Sequence, residues 1–149
     1  MAQAQKQVRI IEPLERFVNR INLVGCYARV SSDSEDQLNS YKNQVDFYES
    51  FANSLENSKL VKIYTDEGVT GTRMDKRDGF IQMIEDCRKG LINTIITKSI
   101  SRFARNITET LSVVRELKSI GVSVYFMTEK IDTAKMGSEM MLAVYAACA

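Results

Sequence analysis

At 149 residues, 44% of them hydrophobic, the chain is long enough for one globular domain with its own core, and twenty basic against nineteen acidic residues leave a formal charge of +1. That balance excludes a protein that holds nucleic acid by bulk charge, so any basic surface has to be local. Three scattered cysteines without C-x-x-C spacing argue against a disulfide frame or zinc site and for a reducing, cytoplasmic compartment, and no apolar run nears the roughly 20 residues of a membrane span.

In chain order, the first β-rich run is "NLVGCYARV", which breaks at a serine pair, Ser31 and Ser32. Leu38, Tyr41, Val45, Tyr48 and Ala52 then recur at helical spacing, and Ser34 with Gln37 reads as a capping box ahead of them. A second run, "KLVKIYT", leads into the glycine-rich, charged loop "DEGVTGTRMDKRDG". Phe80, Ile84 and Cys87 predict a short helix stopped by Gly90. The third run, "NTIITK", precedes a helix whose inner face is Ile107, Leu111, Val114 and Leu117, capped by Asn106 with Glu109 and ended by Gly121. The fourth is "VSVYFMT". Beyond it, Met140, Met141, Val144, Tyr145 and Cys148 predict another helix, with Ser138 as its cap; no stop signal follows, so it is expected to continue past Ala149.

Strands alternating with helices predict an α/β fold with a mainly parallel sheet covered on both faces. Ligands of such sheets gather beyond the carboxyl ends of the strands. Those ends deliver Arg29 and Ser31, then Asp66, then Lys98, Ser99, Ser101, Arg102 and Arg105, and they are expected to converge on one surface. From Asn93 to Ile107 there is no acidic residue. Planar, permanently charged guanidiniums concentrated in this way suit a phosphate. The chain has no histidine, so Ser31 is not activated by a serine-histidine-carboxylate triad.

Taken singly, each feature has a plainer explanation. A strand-end arginine is often a salt-bridge partner, a serine pair is often a helix cap, and the cysteines, tyrosines and Met127 are most simply core. Convergence of a serine, a carboxylate and several basic residues on one sheet edge is what favours a site.

The stretches "YARVSSDSEDQLNSYKNQ", "YTDEGVTGT", "DKRDGF", "SISRFARN" and "MGSEMMLAVYAA" together resemble the catalytic domain of serine recombinases, the resolvase and invertase superfamily. Matches in this order are more specific than any one motif, and they cover Leu23 to the end. "SISRFARN" and the long spacing after the first helix are most similar to the large serine recombinases, the integrases and transposases of mobile elements. The resemblance implies a resolvase-like three-layer domain over 23–135, preceded by an amino-terminal extension over 1–22 and followed, over 136–149, by the start of a long oligomerisation helix. It implies that Ser31 attacks a DNA phosphodiester, with Arg29, Arg77, Arg102 and Arg105 as active-site arginines, Asp66 as the active-site aspartate and Gln44 as support. Lys98, Ser101 and Arg73 join them as candidate DNA contacts, and Tyr27 as packing or positioning support. Covalent catalysis conserves the phosphodiester energy, so no cofactor and no metal are expected. Implied partners are double-stranded DNA at specific sites and further copies of the chain, a homodimer that becomes a tetramer. One departure stands out: Ile100-Ser101-Arg102 replaces the commoner leucine-aspartate-arginine, which leaves the general base and acid open between Asp66 and water-mediated routes through the arginines.

Two rivals come from other classes. A metal-dependent nuclease would use Asp66, Glu67, Asp75 or Asp78 for magnesium. A non-catalytic module would dimerise to assist a DNA-binding partner. Nucleotide binding has little support, since neither glycine-rich phosphate motif occurs.

Overall fold

Tyr27 and its neighbours Cys26 and Ala28 are all buried, which is what a strand with both faces covered requires. They lie on β1 (Asn22–Ser31), an inner strand of the sheet. The computed structural model describes residues 20–31, 36–68, 77–104 and 106–148, with backbone alone at 31, 36–40 and 68. β2 (Ser58–Gly68), β3 (Thr94–Thr97), β4 (Ser123–Phe126) and β5 (Ile131–Asp132) complete a five-stranded sheet of order β2-β1-β3-β4-β5. All neighbours run parallel except β4 and β5.

α1 (Asp36–Ser54) covers one face, where Tyr48 and Ala52 pack on Val24, Cys26, Ala28 and Ile96. Its buried end is the second half: Tyr41, read from the sequence as inward-facing, is 40% exposed. The expected cap at Ser34 and the side chain of Leu38 lie outside the described residues. The other face carries α2 (Asp78–Arg88) and α4 (Ile107–Ser119), whose Phe80, Met83, Ile84, Cys87, Val114 and Leu117 close on the sheet. α3 (Ile100–Phe103) is a single turn drawn into this core by Phe103. Tyr27, Phe80, Phe103 and Phe126 meet edge to face in series, with centroids 5.3, 5.2 and 5.4 Å apart. Such pairs add about 0.5–1.5 kcal/mol each beyond the area they bury.

Local chemistry sets the helix ends. The Asn106 side chain accepts from the Glu109 amide at 2.8 Å and starts α4, and Gly121, at φ +80°, lets the chain turn after it. α5 (Ser138–Cys148) begins differently from the sequence expectation. The Gly137 carbonyl accepts from Met141, so Ser138 lies inside the first turn; its hydroxyl donates to the Thr133 carbonyl at 3.3 Å instead of capping. Leu142 is buried, whereas Met140, Met141, Val144 and Tyr145 are exposed. Among the described residues no helix is long and apolar enough to cross a membrane.

Candidate active site

Parallel pairing brings the carboxyl ends of neighbouring strands together. On β1 and β2, Arg29 stands opposite Asp66 and Ser31 opposite Gly68. The Tyr27 carbonyl accepts from the Thr97 hydroxyl at 3.2 Å and the Tyr48 phenol at 3.3 Å, which ties β3 and α1 to the second half of β1. Burial pushes the Tyr48 phenol up to about 12, so it remains a donor at neutral pH.

Just beyond this tie lies a depression of about 30 Å³ whose lining includes Arg29, Gln44, Tyr48, Lys98 and Arg102. Arg102 Nη1 donates to the Arg29 carbonyl at 3.3 Å, so the turn after β3 is fastened across the end of β1. Arg29 is half-buried, while Lys98 and Arg102 are exposed. Ser101 is exposed beside them, its Oγ 3.1 Å from that of Ser99. The structure thus brings together Arg29, Gln44, Lys98 and Arg102, at the end of the strand that carries Ser31. Guanidinium, ammonium and amide donors around so small a hollow can hold an anionic oxygen.

Asp66 and Arg77 sit deeper than the sequence suggested. Asp66 is 6% exposed, and both its oxygens are engaged: Oδ1 by the Gly79 amide at 2.7 Å, Oδ2 by the Phe80 amide at 2.9 Å and the Tyr27 phenol at 2.8 Å. The two amides are unpaired donors of the first turn of α2, which a carboxylate satisfies best. Burial, and the bond given to Asp66, push the Tyr27 phenol up to about 12. Arg77, 8% exposed, lies over the Phe80 ring at 3.9 Å and donates to the Phe103 carbonyl and to Glu109, the latter at 3.4 Å. It braces the starts of α2 and α4 against α3. Asp66, expected on the shared surface, is instead buried because helix-start amides draw in its carboxylate, and aromatic rings shelter the Arg77 guanidinium. Arg73, Arg105 and Asp75 lie outside the described residues, and Ser31 is described by its backbone alone.

Two further residues shape the edge. Thr97, fully buried, holds β1 through its hydroxyl, and Glu129 accepts from the Ile100 amide at 3.3 Å where α3 begins. Neither carries a sequence signal of its own, since each works through contacts between separate strands and turns.

The family model described as Resolvase, N terminal domain, matches residues 24–149. The chain belongs to the resolvase family. Its curated resolvase-family relatives include the transposon Tn552 resolvase and the transposon Tn552 DNA-invertase BinR, both of Staphylococcus aureus. Each is 30% identical over 131 residues, covering 83% of this chain and 56% or 57% of the relative. The chain thus spans a little over half the length of those relatives. Among solved structures, a resolvase family site-specific recombinase from Streptococcus pneumoniae superposes with a TM-score of 0.68 at 26% identity, covering 85% of this chain and 87% of that one. The N-terminal catalytic domain of TP901-1 integrase shares the fold, with a TM-score of 0.66 at 23% identity over 85% of this chain and 93% of its own.

Proposed function

We propose that this resolvase-family chain is the catalytic domain of a site-specific DNA recombinase in which Ser31 is the nucleophile. Its hydroxyl oxygen attacks a DNA phosphorus and forms a 5′-phosphoserine bond as the bond to the 3′ oxygen breaks. The serine proton leaves to a base, and a proton reaches the departing 3′-hydroxyl. Rejoining is the reverse reaction after half-sites exchange, so the phosphodiester energy is conserved. Arg29 and Arg102 stabilise the charge spread over the phosphoryl oxygens. Gln44, Lys98 and Ser101 position the backbone, and Arg73 and Arg105 add contacts from their segments. Arg77 and Asp66 act from beneath, by holding α2 and α3 where the strand ends need them.

The observation that carries this reading is the single hollow shared by Arg29, Gln44, Lys98 and Arg102 at the end of β1. The engagement of both Asp66 oxygens by protein donors also makes Asp66 a poor choice among the four carboxylates considered for a magnesium nuclease. In a chain that carries its DNA-binding parts, Ser31→Ala is expected to abolish the covalent protein-DNA adduct while site binding stays within about twofold, a change worth under ~0.5 kcal/mol. An adduct that survives this substitution, or that maps to Ser32, overturns the assignment.

A further inference from the structure

α3 carries Ser101 and Arg102, yet it is a single turn, too short to persist on its own helical bonds. Its place is set by what holds its two ends. The far end is anchored by Phe103, which is fully buried and whose carbonyl accepts from Arg77. At the near end the obvious local cap goes unused. Ser99 makes no side-chain capping bond, and its Oγ lies 3.1 Å from that of Ser101 instead. From Asn93 to Ile107 the chain has no carboxylate to offer. The Ile100 amide, a first-turn donor without a helical acceptor, is met by Glu129, 29 residues further on, whose two carboxylate oxygens both lie 3.3 Å from it.

Glu129 is itself delivered to this spot by the backbone. The Met127 amide donates to the Thr97 carbonyl at 3.0 Å and the Thr128 amide to the Lys98 carbonyl at 2.8 Å, so the chain leaving β4 continues alongside the chain leaving β3. The Glu129 carboxylate follows in line and takes the next free donor, Ile100. Between the two held ends of α3 stands Arg102, exposed to solvent, with Nη1 on the Arg29 carbonyl at 3.3 Å.

We infer that Glu129 is a positioning residue for DNA cleavage: it pins the start of α3 and so keeps the Arg102 guanidinium across the end of β1, the strand that carries Ser31. It acts through Arg102 and needs no contact with DNA. The inference rests on the recombinase reading for the step it serves, and on the bonds to Ile100, Lys98 and Thr97 for the placement. A displacement of about 1 Å in a group that stabilises a transition state can cost up to about 100-fold in rate.

The test compares adduct formation at saturating site DNA, in a chain that carries its DNA-binding parts, with exchange in the 149-residue chain. Glu129→Ala is expected to slow the adduct about 10–100-fold while site binding stays within about twofold. Glu129→Gln, whose amide oxygen still accepts from Ile100, is expected to recover most of that rate. In an Arg102→Lys background, Glu129→Ala is expected to slow the adduct by no more than about twofold, since residues that act through one another are not additive. In the 149-residue chain, Glu129→Ala is expected to speed hydrogen exchange of the Ile100 amide by at least about tenfold and leave that of Ile96 unchanged. A parent-like rate in Glu129→Ala, a Glu129→Gln chain as slow as Glu129→Ala, the full loss repeated on top of Arg102→Lys, or unaltered exchange at Ile100 overturns the inference. A parent chain that forms no adduct refutes the recombinase reading instead, and exchange at Ile100 then still decides whether Glu129 holds the turn.

Discussion

Asp66 accepts three hydrogen bonds from within the protein, and this decides what its substitution can do. Asp66→Asn keeps the shape but turns an amide donor toward at least one of the Tyr27, Gly79 and Phe80 donors. A cost of about 1–3 kcal/mol in unfolding free energy is expected, measured by denaturant titration. In a chain that carries DNA-binding parts, the cleavage proposed above is expected to keep its dependence on pH in Asp66→Asn, since a positioning residue is not the group that moves the proton. Loss of the acidic limb of the rate profile in Asp66→Asn would instead make Asp66 the general base. The buried thiols set a different pH dependence. Burial pushes both Cys26 and Cys87 up to about 12. A group whose folded pKa is raised stabilises fully below its unfolded value and loses that contribution as pH rises toward the folded value. Stability is thus expected to fall from about pH 9 upward, by about 1.4 kcal/mol per pH unit for each thiol. Denaturant midpoints between pH 8 and 10 check this: the Cys26→Ala, Cys87→Ala double variant should flatten the decline, and an unchanged slope would assign it to other groups.

At the scale of elements, the start of α2 against the end of β2 is the closest fit at the site. A Cβ on Gly79 would meet the Thr65 carbonyl oxygen at 2.5 Å and Asp66 Oδ1 at 3.0 Å. Because the obstacle is backbone, Gly79→Ala is expected to push the first turn of α2 outward and cost about 1–3 kcal/mol, read as a lowered unfolding midpoint. The Gly79 and Phe80 amides would then lose their protection against hydrogen exchange before the rest of α2 does. A midpoint equal to that of the parent would mean that the turn yields without cost. This junction also shows where sequence reasoning reached its limit. Asn106 with Glu109, Gly90 and Gly121 were legible because each cap is made within a few residues. The burial of Asp66 and Arg77 was not, because their partners come from β1, α2, α3 and α4. β5 was missed for a similar reason: its residues, Ile131 and Asp132, are held only by pairing with Phe126 and Tyr125. Arg29, Lys98 and Arg102 line one hollow, since parallel strands bring their ends to one edge whatever the details of the loops, and Gln44 reaches the same hollow from α1.

For the whole molecule, the exposed side of α5 is the largest statement about partners. Met140, Met141, Val144 and Tyr145 share it at 73, 52, 58 and 42% exposure, while the Arg115–Glu139 ion pair and buried Leu142 fasten the helix to the body. We propose that this side packs against a second copy, with methionines suited to more than one packing. Chains carrying further residues after 149 are expected to sediment as dimers at concentrations where the 149-residue chain is mostly monomer, and Val144→Lys should weaken them. A strictly monomeric longer chain would refute this while leaving Ser31 untouched. The sheet order has a consequence for the making of the protein. β1 pairs with β2 on one side and β3 on the other, so this inner strand leaves the ribosome before either neighbour. At about 5–20 residues per second, roughly 3–13 s pass between synthesis of Ser31 and of Thr97. Throughout that interval Val24, Cys26 and Ala28 have no completed sheet to enter. The nascent chain therefore carries these side chains without their sheet partners through the middle of translation, and chaperone depletion during synthesis is expected to lower the yield of folded chain, read as its soluble fraction.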